Sequence, residues 1–161
     1  MLRSGTVSAS AAHESVDVDD IASSPPLAGA RARGQQYIAA EYRKAENLTL
    51  EDASMIAACS DRMLNQRRQD GKVYALLPPG KLRGFRYPSW QFDVAPERLE
   101  AALAPFFAAR TSSWVIHHFM TRPNETLGNA RPMDYRLDTQ RPIRPLVDAV
   151  NDNLPRDQGA A

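Results

Sequence analysis

The chain has one cysteine, Cys59, in 161 residues, which excludes an internal disulfide and any zinc module built on several thiolates. Aromatic residues make up only 7% and hydrophobic residues 43%, a share slightly below that of an average globular chain. No apolar run approaches the roughly 18 residues of a membrane span. The opening residues carry acids and no continuous apolar stretch, so they do not read as a secretory signal. A dominant charge sign is also missing, since 20 Lys+Arg face 19 Asp+Glu for a formal net of +1. That balance excludes a histone-like polycation and an acidic solvating tail. The expectation is a soluble, cytoplasmic protein of one or two small domains.

The near-zero net charge hides an uneven distribution. Residues 60–86 hold seven bases (Arg62, Arg67, Arg68, Lys72, Lys81, Arg83, Arg86) against two acids, net +5. The segments before and after this window are each slightly acidic. A run of charge is informative only where geometry focuses it.

Residues 1–34 read as a disordered leader, rich in Ala, Ser, Gly and acids, with Pro25-Pro26 and few apolar residues. From Gln35 to Asn47 the pattern turns helical, with Tyr37, Ile38, Tyr42 and Ala45 three or four apart. Thr49 suits the N-cap of a second helix, and Glu51-Asp52 suit its positive end. Ser60 suits the cap of a third, which Gly71 closes. Val73–Leu77 and Phe85–Tyr87 then read as two strands around the turn Pro78-Pro79-Gly80-Lys81. Trp90 and Phe92 fall on one face of an extended segment, and Asp93 is placed to cap the next helix. That helix carries Leu99, Leu103, Phe106 and Phe107, with Pro105 marking a kink or a break into two. A helix with Trp114, Val115, His118 and Phe119 follows, capped by Thr111 or Ser112, with His118 facing the core. A turn-rich stretch leads to short helices near 133–137 and 145–153.

Helices at 49–58 and 60–70 joined by almost nothing have the layout of a helix-turn-helix. A projection at 100° per residue puts Met63, Leu64 and Arg67 inward, and Asp61, Arg62, Asn65, Gln66 and Gln69 outward with Arg68 at the border. Arg, Asn and Gln are the side chains that make paired hydrogen bonds to guanine and adenine edges in the major groove. The following strand–turn–strand places Lys81, Arg83 and Arg86 on a wing suited to phosphates or a narrow minor groove. The bland reading of the same residues is a solvated amphipathic helix and a basic hairpin. The run LEDASMIAACSDRMLNQRRQDGKVYAL resembles the first half of MerR-like and excisionase-like winged helices. The fold expected is mainly α (α+β). It comprises a winged helix-turn-helix with a small β-hairpin at 35–93, a helical domain at 94–154 and a flexible tail at 155–161.

Residues 106–138 contain a Trp-bearing helix followed by P-N-x-x-L-G-x-x-R-P-x-D. This string resembles the toxin-binding domain of the Xre/MbcA/ParS antitoxin family through Trp114, Phe119, Pro123, Asn124, Leu127, Gly128, Arg131, Pro132 and Asp134. RYPSWQFD at 86–93 is similar to the segment that links a small winged helix to that domain. Physically the string is mostly architecture: an Asx-turn at Asn124, a positive φ at Gly128, and Pro132 opening a helix. What the resemblance implies is a partner, a RES-type toxin that consumes NAD. An antitoxin of this kind sequesters the toxin and represses the shared promoter, with Asn124, Arg131 and Arg156 as candidate contacts.

Catalytic signatures are weak. Cys59 sits where the turn of a helix-turn-helix needs a small apolar plug, so pairing it with His117 or His118 as nucleophile and base is not favoured. His13, His117, His118 and Cys59 lack metal-ligand spacing, and no phosphate-cradling glycine loop is present. The expectation is no enzyme, no cofactor and no metal. The partners expected are double-stranded DNA, a toxin encoded nearby and a second copy of the chain, joined through residues 99–119. The alternative is a stand-alone regulator or excisionase-like architectural protein without a toxin. A third reading is a module with protein contacts only.

Overall fold

The structure is a computed structural model and describes residues 25–155. Most of the expected leader, His13, Arg156 and the rest of the tail lie outside the described residues. The chain divides between Gln36 and Tyr37 into two units, and the account below concerns the second.

Helix α1 spans Pro25–Arg43, beginning ten residues before the expected start and ending before Asn47. Proline needs no N–H partner at a helix start. The alternating Ala and Arg of 28–33 are strong helix formers, which outweigh Gly29 and Gly34. Residues 25–34 are thus helical and not part of an irregular leader. After a turn, Asn47–Leu48 form strand β1.

Helices α2 (Leu50–Ile56) and α3 (Asp61–Gln69) start where the capping residues require. The Thr49 hydroxyl accepts the Asp52 amide and the Ser60 hydroxyl accepts the Met63 amide, each at 3.2 Å. Gly71, just past the α3 C-cap Asp70, takes φ 74° as expected. The link between the helices turns through Ala58 at φ 49°, a conformation that costs a non-glycine residue about 1–2 kcal/mol. Cys59 packs partly against the core beside it.

The hairpin expected from residues 73–77 and 85–87 shrinks to one bridge. Leu76 and Arg86 exchange both backbone hydrogen bonds, at 2.7 and 2.8 Å. Val73 to Leu76 are all buried, yet they pair with no strand. The Gln91 side-chain amide takes the place of a neighbour, accepting from Tyr74 N–H and donating to Tyr74 C=O, both at 2.9 Å. The chain's two-stranded antiparallel sheet instead joins β1 to β2 (Tyr87–Pro88), with Leu48 opposite Tyr87 and Asn47 opposite Pro88. Residues Ser89–Asp93 coil into a 3-10 helix that buries Trp90 and Gln91, replacing the extended segment expected there.

Helix α4 runs unbroken over Pro96–Ala108 despite Pro105, with Ala95 at its N-cap in place of Asp93. Helix α5 covers Ser113–Thr121 and is capped by Ser112. A short 3-10 turn (Glu125–Leu127) precedes α6 (Pro132–Leu137) and α7 (Arg144–Asn153). Along α5 the buried residues are Ile116, His117 and Met120, while His118 and Val115 are exposed. The core-facing histidine is therefore His117, one position before the one expected.

Among the described residues the molecule is mainly helical with this one small sheet, and no helix is long and apolar enough to cross a membrane. A single apolar cluster runs from Ala53 and Leu64 through Tyr74–Leu76 and Tyr87 to Leu103, Ile116 and Val150. Packing is therefore continuous across the boundary expected at residues 93–94. Helix α4 packs on α7, so Leu99, Leu103 and Phe106 fill the chain's own core and not a spare apolar face.

Candidate nucleic-acid interface

The buried side of α3 is rotated from the projected one. Leu64 is fully buried, with Asn65, Arg67 and Arg68 half-buried, whereas Met63 is 50% exposed. The cause is the segment 85–87, which engages Asn65 and Arg68, neighbours at i and i+3 on the helix surface. The Tyr87 hydroxyl donates to Asn65 Oδ1 at 3.2 Å, and the Arg68 guanidinium stacks 3.9 Å over the Phe85 ring. Burial raises the Tyr87 hydroxyl above its ordinary pKa, against the pull of Arg68, so it stays a donor.

Of the five α3 residues expected to face outward, all but Asn65 are exposed: Asp61, Arg62, Gln66 and Gln69. Arg62, Gln66 and Gln69 fall at i, i+4 and i+7, one stripe of the helix. Gln66 Nε2 donates to Asp70 Oδ1 at 2.8 Å. Asn65 and Arg68 belong instead to the inner face, and Asn65 Oδ1 is already in use, so a paired contact to an adenine edge would have to displace Tyr87.

Lys81 and Arg83 are exposed and, among the described residues, their side chains have no ion-pair or hydrogen-bond partner. Arg86 is half-buried, with its guanidinium 5.3 Å from the centre of the Tyr42 ring. The loop that carries these cations is held at its base. Lys81 N–H bonds to Pro78 C=O at 3.1 Å, with Pro79 and Gly80 (φ 77°) in the two central positions, the residues a type II turn calls for. The Tyr42 hydroxyl donates to Gly84 C=O at 2.6 Å. Gly84 itself sits at φ 87°, and a Cβ there would lie 2.8 Å from that hydroxyl, so both backbone and space demand glycine. Trp114 Nε1–H donates to Leu77 C=O at 3.0 Å. Between this loop, Asn65 and Thr49 lies a groove of about 380 Å³.

The residues expected to touch a protein partner sit on a separate turn. Asn124 Oδ1 accepts the Thr126 amide at 2.9 Å, closing an Asx-turn, and Gly128 takes φ 67°. Arg131 is exposed and grips Asp134 with two hydrogen bonds of 2.6 and 3.0 Å.

Sequence reasoning missed a buried polar row. The Tyr74 hydroxyl lies 2.9 Å from His117 Nδ1, and His117 Nε2 lies 3.0 Å from Glu41 Oε2, while the other carboxylate oxygen, Oε1, pairs with Lys44. Burial holds His117 below its ordinary pKa despite Glu41. For Glu41, burial pushes upward but is outweighed by Lys44 and His117, and the carboxyl is held below its usual range. A neutral ring therefore donates from Nε2 to the carboxylate and accepts at Nδ1 from Tyr74. Glu41, Lys44 and His117 border a cleft of about 420 Å³ that Arg122 and Arg131 also line. No local spacing could have disclosed the row, since its members are 43 and 76 positions apart.

Next to it, Arg136 is 0% exposed with its guanidinium 4.4 Å over Trp90, and none of its three side-chain nitrogens has a hydrogen-bond partner among the described residues. Burial lowers its pKa to about 9. The row has each of its hydrogen bonds made internally, which is the arrangement of a structural network and not of groups waiting for a reactant.

No family model matches this chain, and no curated protein or solved structure is significantly similar to it.

Proposed function

We propose that the protein binds duplex DNA through α3 and the loop 78–86, acting as a winged helix-turn-helix. The observation that carries this reading is the pair of exposed cations Lys81 and Arg83, whose side chains have no partner among the described residues, on a loop braced at its base that shares a groove with Asn65 of α3, the helix that carries the outward stripe Arg62, Gln66 and Gln69. Charges left unpaired on a braced scaffold suit a polyanion, and the stripe supplies the donors and acceptors that read base edges. Asn65, Arg68 and Arg86 act in this reading mainly by fixing the geometry.

The second part of the reading rests on the string from Asn124 to Asp134, whose Asx-turn, left-handed glycine and proline-led helix supply the local geometry that the resemblance to the antitoxin domain calls for. The protein is then an antitoxin that sequesters a RES-type toxin and represses its own promoter. A homodimer belongs to this reading, because operators are commonly read by symmetric pairs.

Fluorescence anisotropy with DNA from upstream of the gene tests the first part. Affinity should fall by orders of magnitude between about 50 and 200 mM salt, and Arg62→Ala should cost about 1–3 kcal/mol of discrimination between operator and random duplex. Equal affinity for both duplexes, unchanged in Arg62→Ala, would overturn it. Co-purification with the product of the adjacent gene tests the second part, and light scattering checks the dimer.

A further inference from the structure

We propose that Leu82 is an apolar wedge that enters the minor groove and unstacks one base step, so that the protein bends the duplex it binds. The inference rests on the duplex-binding reading above and adds to it a mode of action. Leu82 is 91% exposed, more than any other large hydrophobic residue among those described. A single exposed leucine is ordinary, so exposure alone means little. What distinguishes this one is its setting.

Its two neighbours, Lys81 and Arg83, are exposed cations without an internal partner among the described residues. The three residues sit at the tip of a loop whose freedom is already restricted. The Pro79-Gly80 turn leads into the tip, the Tyr42–Gly84 hydrogen bond follows it, and the Leu76–Arg86 bridge closes the base. An apolar tip on a mobile loop would fold back onto the protein, whereas this one is held away from it. Leu82 stands at the edge of the groove at Thr49 and Asn65, yet its side chain stays almost wholly in solvent.

A leucine between two cations matches what a minor groove offers. The phosphate walls of a narrow, A·T-rich groove attract Arg and Lys. Leucine is among the side chains that wedge between base pairs, kinking DNA by about 20–90° toward the major groove. The tip is three residues wide and the minor groove about 6 Å, so a narrow loop, and not a helix, is the element that fits.

The test uses the full-length protein and duplexes from upstream of the gene, each with 2-aminopurine in place of one successive adenine. Anisotropy is read first and 2-aminopurine emission second, with bending measured by circular permutation on the same duplexes. The wild type should raise emission several-fold at one step and bend the DNA. Leu82→Ala, which removes no buried contact, should keep the salt dependence and lose less than ten-fold in affinity while abolishing both signals. Leu82→Phe should retain them. Tight, salt-dependent binding with no unstacking and no bend would overturn the wedge and leave the duplex-binding reading standing. Bending that persists in Leu82→Ala would do the same. Absence of duplex binding in the first measurement would remove both.

Discussion

Around Lys81–Arg83 and on the outer stripe of α3, polar side chains reach solvent with few internal bonds, whereas Glu41, His117 and Tyr74 lie inside the protein and satisfy one another. Both regions concentrate charge, and only one of them is available to a partner. Perturbed, buried ionisable groups often mark function. Here they hold α1 and α5 to the buried segment at Tyr74, while the exposed side chains with no internal partner among the described residues are the ones suited to binding. Exposure and bonding state, and not charge alone, separate the two roles.

The largest expected effect comes from breaking the buried row. His117→Ala leaves the Tyr74 hydroxyl and the Glu41 carboxylate without their partner and opens a cavity, so urea unfolding should show a loss of about 3–5 kcal/mol. A loss below about 1 kcal/mol would mean that water already reaches the row. Arg136 sharpens the contrast, because it is buried without an acid to pair with among the described residues. The Trp90 face offsets part of that cost. Arg136→Met keeps similar bulk without the charge and should raise stability by about 1–4 kcal/mol. Destabilisation would point to an anion that occupies the site in solution.

The row also sets a direction for pH dependence. His117 is held below its ordinary value of 6.5, so as pH falls through 6.5 the unfolded chain takes up a proton before the folded one does. Stability declines from there, and Glu41, held below its ordinary 4.5, adds a further loss as pH falls through 4.5. His118, lowered by partial burial and by Arg122, acts in the same sense, so His118→Gln is the background in which to compare. Melting temperature should be nearly flat from pH 8 to 7 and fall below about 6.5. His117→Gln in that background should remove the upper part of the fall.

The smallest effect on folding belongs to the exposed region. Lys81→Ala and Arg83→Ala should change stability by less than about 0.5 kcal/mol. Each should nonetheless weaken duplex binding and reduce the slope of log affinity against log salt by about one. A large fall in melting temperature would show that these cations brace the loop and are not reserved for a ligand.

What was legible in the sequence was local. Thr49, Ser60 and Ser112 cap helices because a side-chain oxygen reaches an amide two or three residues on. Asn124, Gly128 and Pro132 shape their turn for similarly short-range reasons. What failed was decided by partners distant in sequence. Val73–Leu77 has a strand's composition, but Gln91 supplies the hydrogen bonds a strand would have given Tyr74. The inward face of α3 is set by Phe85 and Tyr87 and not by the helix's own pattern, which moved Met63 out and Asn65 in. Choosing between His117 and His118 required knowing that Glu41 and Tyr74 flank the first.

The hydrogen bond from the Trp114 indole to the Leu77 carbonyl has an optical consequence. The chain holds two tryptophans, in unlike surroundings: Trp90 lies buried under a guanidinium, and Trp114 is half-buried and tethered one residue before the Pro78-Pro79 turn. Indole emission responds to the hydrogen bonding of its N–H and to nearby charge. The molecule thus has a native chromophore at the root of its basic loop and a second one away from it. With Trp90→Phe as the single-indole form, any displacement of that loop becomes a colour change in Trp114, readable without a dye and on the timescale of mixing.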